Sequence, residues 1–278
     1  MNSIRKFLFK ELDICGQHLS ISRPWQQMIE SRGYSKVVQQ LFGELSALAI
    51  ILANGMKHKG KITMQLQGGG AISLLLVEVS DDLKIRGMVK VSGVIDEHDN
   101  FGRILGKGKI VATLYNAQTK RNFQSLVSIN SKGLIQTFED YFSQSDQLAS
   151  KIWILSNQDN LSAMLVQKMP DSKQNSQQDW DRILLLANTI THAELCELPA
   201  QSLLHKLFHE EVVTLFEKDT IEYECQQDRE KFEKIIFNLG EKDARDLLKE
   251  HGEIAIHNEI CNAHLFFDES DLDKIFSN

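Results

Sequence analysis

Apolar residues in the first part of the chain fall into short runs rich in Ile, Val and Leu, separated by polar punctuation. Lys61 to Gln67, Ala71 to Val79, Leu83 to Val91, Lys109 to Tyr115 and Arg121 to Ile129 are such runs, joined by Gly, Asp, Asn or Ser. Residues of this kind suit a pleated, half-buried surface and such turns suit hairpins, so five strands are predicted. Arg5 to Ser22 alternates polar and apolar around Cys15-Gly16-Gln17, which predicts a strand pair with its turn there. Pro24 opens a helix. Val37, Val38, Leu41, Leu45, Leu48 and Leu52 then recur at helical spacing, with Gly55 near the end, and predict one long buried helix over Val37 to Met56. A helix from Leu134 to Gln144 and strands over Lys151 to Leu155 and Ser162 to Met169 complete this domain near Pro170.

The pattern changes beyond that proline. Residues 171–178 hold no apolar side chain and cannot bury surface, so the border is placed there. Helices are predicted over Trp180 to Leu195 and Pro199 to Phe208, the second with proline near its first turn. Leu184, Leu185 and Leu186 are consecutive, so a helix through them must bury a wide surface. From Ile221 a small unit follows: a strand, helices over Asp228 to Leu239 and Glu241 to Glu250, a strand pair around Cys261-Asn262-Ala263, and a terminal helix. The expected fold class is α+β, with an N-terminal antiparallel-sheet domain carrying helices (1–170), a flexible, helical linker (171–220) and a small α+β C-terminal domain (221–278). No internal repeat is evident.

Composition narrows the function classes. A chain of 278 residues with 42% hydrophobic and 25% charged residues is of ordinary globular type. Its net charge of −7 offers no basic footprint for nucleic acid. The basic, partly apolar start is interrupted by Lys10, Glu11 and Asp13 before an apolar run of signal length forms, and Leu45 to Ala53 is too short to span a bilayer. Four cysteines without close pairing fit a reducing compartment, so a cytoplasmic protein without membrane or nucleic-acid partners is expected.

Motifs for catalysis are incomplete. Gly68-Gly69-Gly70 precedes strand-like Ala71 to Val77 where a phosphate loop would need a helix, so a hairpin turn is expected. Gly102 to Gly108 lacks the Lys-Ser/Thr ending of such a loop and reads as a mobile glycine loop between strands. His209-Glu210-Glu211 is followed by Val213 where a zinc-protease helix needs its second histidine. Cys15 and Cys196 have no close acid or histidine cluster and read as small buried hydrophobes. No enzyme is expected.

Cys225 and Cys261 stand where half of a four-thiolate site could stand. Each has a neutral amide at the pair position, Gln227 and Asn258, which ligates zinc poorly. Asp228, His257 and His264 are the further candidate ligands, the last at knuckle spacing from Cys261, so a rebuilt Cys/Cys/His/Asp site stays open beside one without metal. The one cystine that could join the two loops is Cys225–Cys261.

Six segments in order, Lys61 to Gly68, Ile85 to Val91, Asp140 to Leu148, Leu165 to Pro170, Leu203 to Glu211 and Gly252 to His257, together resemble the 33 kDa chaperonin family of redox-regulated heat-shock holdases. The resemblance implies an ATP-independent chaperone that binds unfolding proteins under stress and prevents their aggregation. Unfolded client proteins are the implied partners, with a homodimer left open. In that family a Cys-x-Cys and a Cys-x-x-Cys hold zinc when reduced and form two disulfides when oxidised. Here these read Cys225-Gln226-Gln227 and Asn258-Glu259-Ile260-Cys261, so no zinc cofactor is expected and the switch is lost or altered. The implied client surface maps to Trp180, Ile183, Leu184, Leu185, Leu186, Ile190, Leu203, Leu204 and Leu207. The competing expectation is a non-switching binding or regulatory module that uses the same surface for one dedicated partner.

Overall fold

The computed structural model describes every residue except 1, 97–98, 146, 170–176, 226–228 and 278. The expected polar boundary therefore lies largely outside the described residues. The chain forms two compact units, Met1–Tyr223 and Glu224–Asn278. Both mix helices with antiparallel strands, so the fold is α+β as expected.

In chain order the first unit holds β1 (Asn2–Phe9), β2 (Ile14–Ile21), α1 (Arg23–Ile29), α2 (Lys36–Ala53), β3 (Gly60–Gln67), β4 (Ile72–Ser80), β5 (Lys84–Val91), α3 (Phe101–Leu105), β6 (Lys109–Asn116), β7 (Arg121–Val127), α4 (Leu134–Ser145), β8 (Ser150–Ser156) and β9 (Leu161–Lys168). It continues through α5 (Gln177–Ala187), α6 (His192–Glu197), α7 (Ala200–Leu207), β10 (Val213–Thr220) and β11 (Glu222–Tyr223). One sheet runs β10-β1-β2-β9-β8 and the other β11-β5-β4-β3-β6-β7, antiparallel throughout except for the parallel pair β11–β5. Helix α2 packs against strands of both sheets, and its middle, Leu45 to Ile51, is buried on every side. That position explains why it is apolar all round: a helix clasped between two sheets has no solvent face.

The first sheet is covered twice. Ile4, Leu19, Ala163 and Leu165 join the core around α2, whereas Phe7, Phe9, Ile14, Met164 and Val166 join a second cluster on the opposite face. Strand side chains alternate between faces, so β9 needs apolar residues at successive positions, and Leu161 to Val166 are all buried.

Several expectations are corrected here. The β1–β2 turn lies at residues 10–13, not at Cys15-Gly16-Gln17. Gly16 is inside β2 opposite Phe7, where a Cβ would run into that ring and into the Leu165 carbonyl, so the glycine serves close packing. The glycine stretch 102–108 contains the short helix α3, started by Asn100, whose side chain accepts from Arg103 N at 2.9 Å. A single helix over Trp180 to Leu195 is broken in two. Thr191 and Glu194 form a reciprocal capping box, which starts α6 afresh. The stretch Val213–Thr220, given no element from sequence, is a strand pairing with β1.

The second unit holds α8 (Arg229–Leu239), α9 (Glu241–His251), β12 (Ile254–Asn258), β13 (Ala263–Phe267) and α10 (Glu269–Phe276). Its core is small: Ile236, Ala244, Leu265, Phe267 and Leu272 are its buried members.

Candidate functional site

Cys261 lies in the turn of the β12–β13 hairpin. Asn258 ends β12, and its side-chain carbonyl accepts from Ile260 N at 3.2 Å and from Cys261 N at 3.4 Å. The amide standing at a cysteine position thus holds the turn together, a job Asn and Asp do well because their short side chains reach the backbone two or three residues on. Asn262 completes the turn with φ +51°, a left-handed conformation Asn tolerates better than most residues. The turn brings Cys261 to disulfide distance from Cys225, with Cα atoms 5.4 Å apart and a sequence separation of 36.

His257 and His264 are direct partners across the hairpin, and their rings stack with centroids 4.5 Å apart. His257 Nε2 lies 3.1 Å from the side-chain carbonyl of Asn262. Both histidines are exposed, whereas Cys261 is buried. Thus the cysteines meet each other and the histidines meet each other, and among the described residues no three His, Cys, Asp or Glu side chains gather as a metal group. Asp228, the remaining sequence candidate, lies outside the described residues, as does Gln227.

The second candidate is the apolar surface of α5 to α7. Trp180, Ile183, Leu203, Leu204 and Leu207 are buried against Phe7, Phe9, Ile14, Met164 and Val166 of the first sheet. Leu184, Leu186 and Ile190 are half-buried at the margin of the same cluster, and Leu185 alone among the candidates is exposed, at 72%. Glu194 pairs with Lys206 and so ties α6 to α7; that contact, with the Thr191 hydrogen bonds, pulls its carboxyl down to about 2. The remaining thiols are not activated: loss of water pushes up both Cys15 and Cys196.

Comparison with known proteins places these features. The family model described as Hsp33 protein matches residues 2–268. The chain belongs to the Hsp33 family. That family is one of chaperones, not enzymes. The 33 kDa chaperonin of Nitrosococcus oceani is 31% identical over 99% of this chain and 94% of its own length. The 33 kDa chaperonin of Vibrio vulnificus is 33% identical over 99% and 95%. Among solved structures, the Hsp33 homologue of Thermotoga maritima shares the fold, with a TM-score of 0.82 and 18% identity, over 100% of this chain and 98% of its own.

Among the described residues, the groups that resemblance to Hsp33 would assign to zinc do not gather as a metal site. Two thiols face each other, Gln227 and Asn258 take the other two positions, and the Asn258 carbonyl oxygen is already engaged by two backbone amides. Sequence reasoning found the two cysteines and both amides. It missed what Asn258 and Asn262 do for the turn, although an Asn at each end of a tight connection between two strands is a turn signal. It also missed the His257–His264 stack, which depends on a register that periodicity alone does not give.

Proposed function

We propose that this chain is an ATP-independent holdase that binds unfolding clients through the apolar surface shared by α5 to α7 and the first sheet. One observation carries the reading. A whole apolar layer, Trp180 to Phe208, covers a sheet face that already has a complete core on its other side. Such a layer can lift away while the α2 core stays intact, and the sheet face then offers Phe7, Phe9 and Met164 to an unfolded chain.

In the same reading the cytoplasmic holdase has lost its family's paired-disulfide switch. A single Cys225–Cys261 bond closes a loop within the tail and tightens it, so oxidation here favours the folded tail.

Light scattering of several unrelated, thermally unfolding proteins tests the reading. Stoichiometric chain without nucleotide is expected to suppress scattering for most of them after heat or hypochlorite treatment. Unchanged scattering for all, with the chain untreated or treated, would overturn it. Suppression for one protein alone would favour a dedicated partner module.

A further inference from the structure

The inner face of the second sheet runs out of filling at its β7 edge. Across β3, β6 and β7 the register gives three rows: Ile62–Leu114–Phe123, Met64–Ala112–Ser125 and Leu66–Ile110–Val127. The middle row ends in two small side chains. Over them lies a cavity of about 560 Å³, closed on the far side by Phe138, Tyr141 and Phe142 of α4 and by Ile51 and Leu52 of α2. That volume falls inside the roughly 300–1,000 Å³ range of small-molecule sites. Phe123, although it faces this cavity, is 56% exposed, so the β7 edge is open.

The polar groups of the lining differ in whether they are used. Gln17 accepts from Asn54 at 2.9 Å, and Gln167 donates to Ser150 at 2.7 Å. His58 Nε2, in contrast, is buried with no hydrogen-bond partner, and Lys57 beside it makes no ion pair among the described residues. No described lining residue is acidic. A buried, unpaired imidazole nitrogen costs free energy unless a ligand atom satisfies it.

We propose that this cavity binds a free medium-chain monocarboxylate, its acyl chain over Ala112 and Ser125 and its carboxylate at Lys57 and His58. The apolar lumen takes the chain, and an ammonium with an imidazole N–H satisfies the carboxylate oxygens. The site involves neither α5 to α7 nor the cysteines, and so stands apart from the holdase reading.

Calorimetric titration of the full chain with octanoate, decanoate and dodecanoate, each below its micelle concentration, tests the proposal. Saturable binding at one per chain is expected, tightening roughly fourfold per added methylene while the chain still fits. Ser125→Phe, which fills the lumen, should weaken decanoate at least tenfold, and Ala112→Leu provides the same block should Ser125→Phe not fold. Lys57→Gln with His58→Gln should weaken decanoate about tenfold and leave decanol unchanged. Undiminished binding by a folded lumen-filling variant, non-saturating uptake of several molecules, or decanol binding as tightly as decanoate would overturn the proposal. So would co-sedimentation with phosphatidylglycerol vesicles in a chain that takes up no free decanoate, because the acyl chain would then come from a membrane.

Discussion

His18 sits in β2 opposite Arg5, with its Nε2 buried and unpartnered. Loss of water, and secondarily the Arg5 charge, pushes its pKa from 6.5 down to about 4. The unfolded chain therefore binds this proton more readily than the native one. Stability from the neutral imidazole is complete above pH 6.5 and is lost as pH falls from there through about 4. The full effect is roughly 3 kcal/mol. Buried Glu44, whose carboxyl burial pushes up, acts in the opposite sense, so a substitution is needed to isolate His18. Urea midpoints of the parent chain should fall between pH 7 and pH 5 more steeply than those of His18→Gln; parallel slopes would refute the assignment. At the same scale, Cys225 and Cys261 set a second expectation. Loss of the bond in Cys225→Ser with Cys261→Ser should destabilise the tail by roughly 3–4 kcal/mol, given the loop it closes. Client suppression should survive. Elemental analysis showing one zinc per chain, or abolished suppression in the double variant, would contradict the altered-switch reading. These cysteines and their missing partners were legible because a metal site depends on residue type and spacing. His18 was not, since its burial follows from which strand lies beside it.

Elements show where sequence reading succeeds and where it stops. The hairpin strands of the second sheet and the long helix α2 were placed within a residue or two at nearly every end, because alternation and helical spacing are local and each is enforced by one core. The break between α5 and α6 was also local: Thr191 and Glu194 spell a capping box, which the apolar run of three leucines masked. Strand β10 is a different case, because its partner β1 lies some two hundred residues earlier and no local pattern encodes that pairing. Its placement anchors the end of the α5 to α7 layer to the first sheet. Truncation of the fully buried Leu203 leaves a hole in that layer and should cost about 2–5 kcal/mol. Leu203→Ala is thus expected to suppress client scattering without heat or oxidant, while Leu41→Ala in the α2 core lowers stability without that gain. Equal behaviour of the two variants would detach client binding from α5 to α7.

The molecule as a whole divides into parts of unequal stability. The α2 core draws on both sheets and on helices α1 to α4, the α5 to α7 layer rests on one sheet face, and the tail has five buried apolar residues at its centre. A unit of about 55 residues buries only about 60% of the surface its unfolded chain exposes and is marginal without a staple. The staple this tail has is one cysteine pair within it, Cys225 and Cys261. Opening free energy should therefore rise from tail to layer to core, since local stability follows buried apolar contact. Hydrogen exchange read by mass spectrometry gives the order directly. Amides of α8 to α10 should exchange first, those of α5 to α7 next and those of α2, β2 and β9 last. Reduction should accelerate the tail selectively, because it removes the loop constraint and leaves both clusters of the first unit untouched. An α5 to α7 layer exchanging together with α2 would mean that the two clusters open as one body. The sheet face could not then be presented on a folded core, and client binding would have to be sought on another surface.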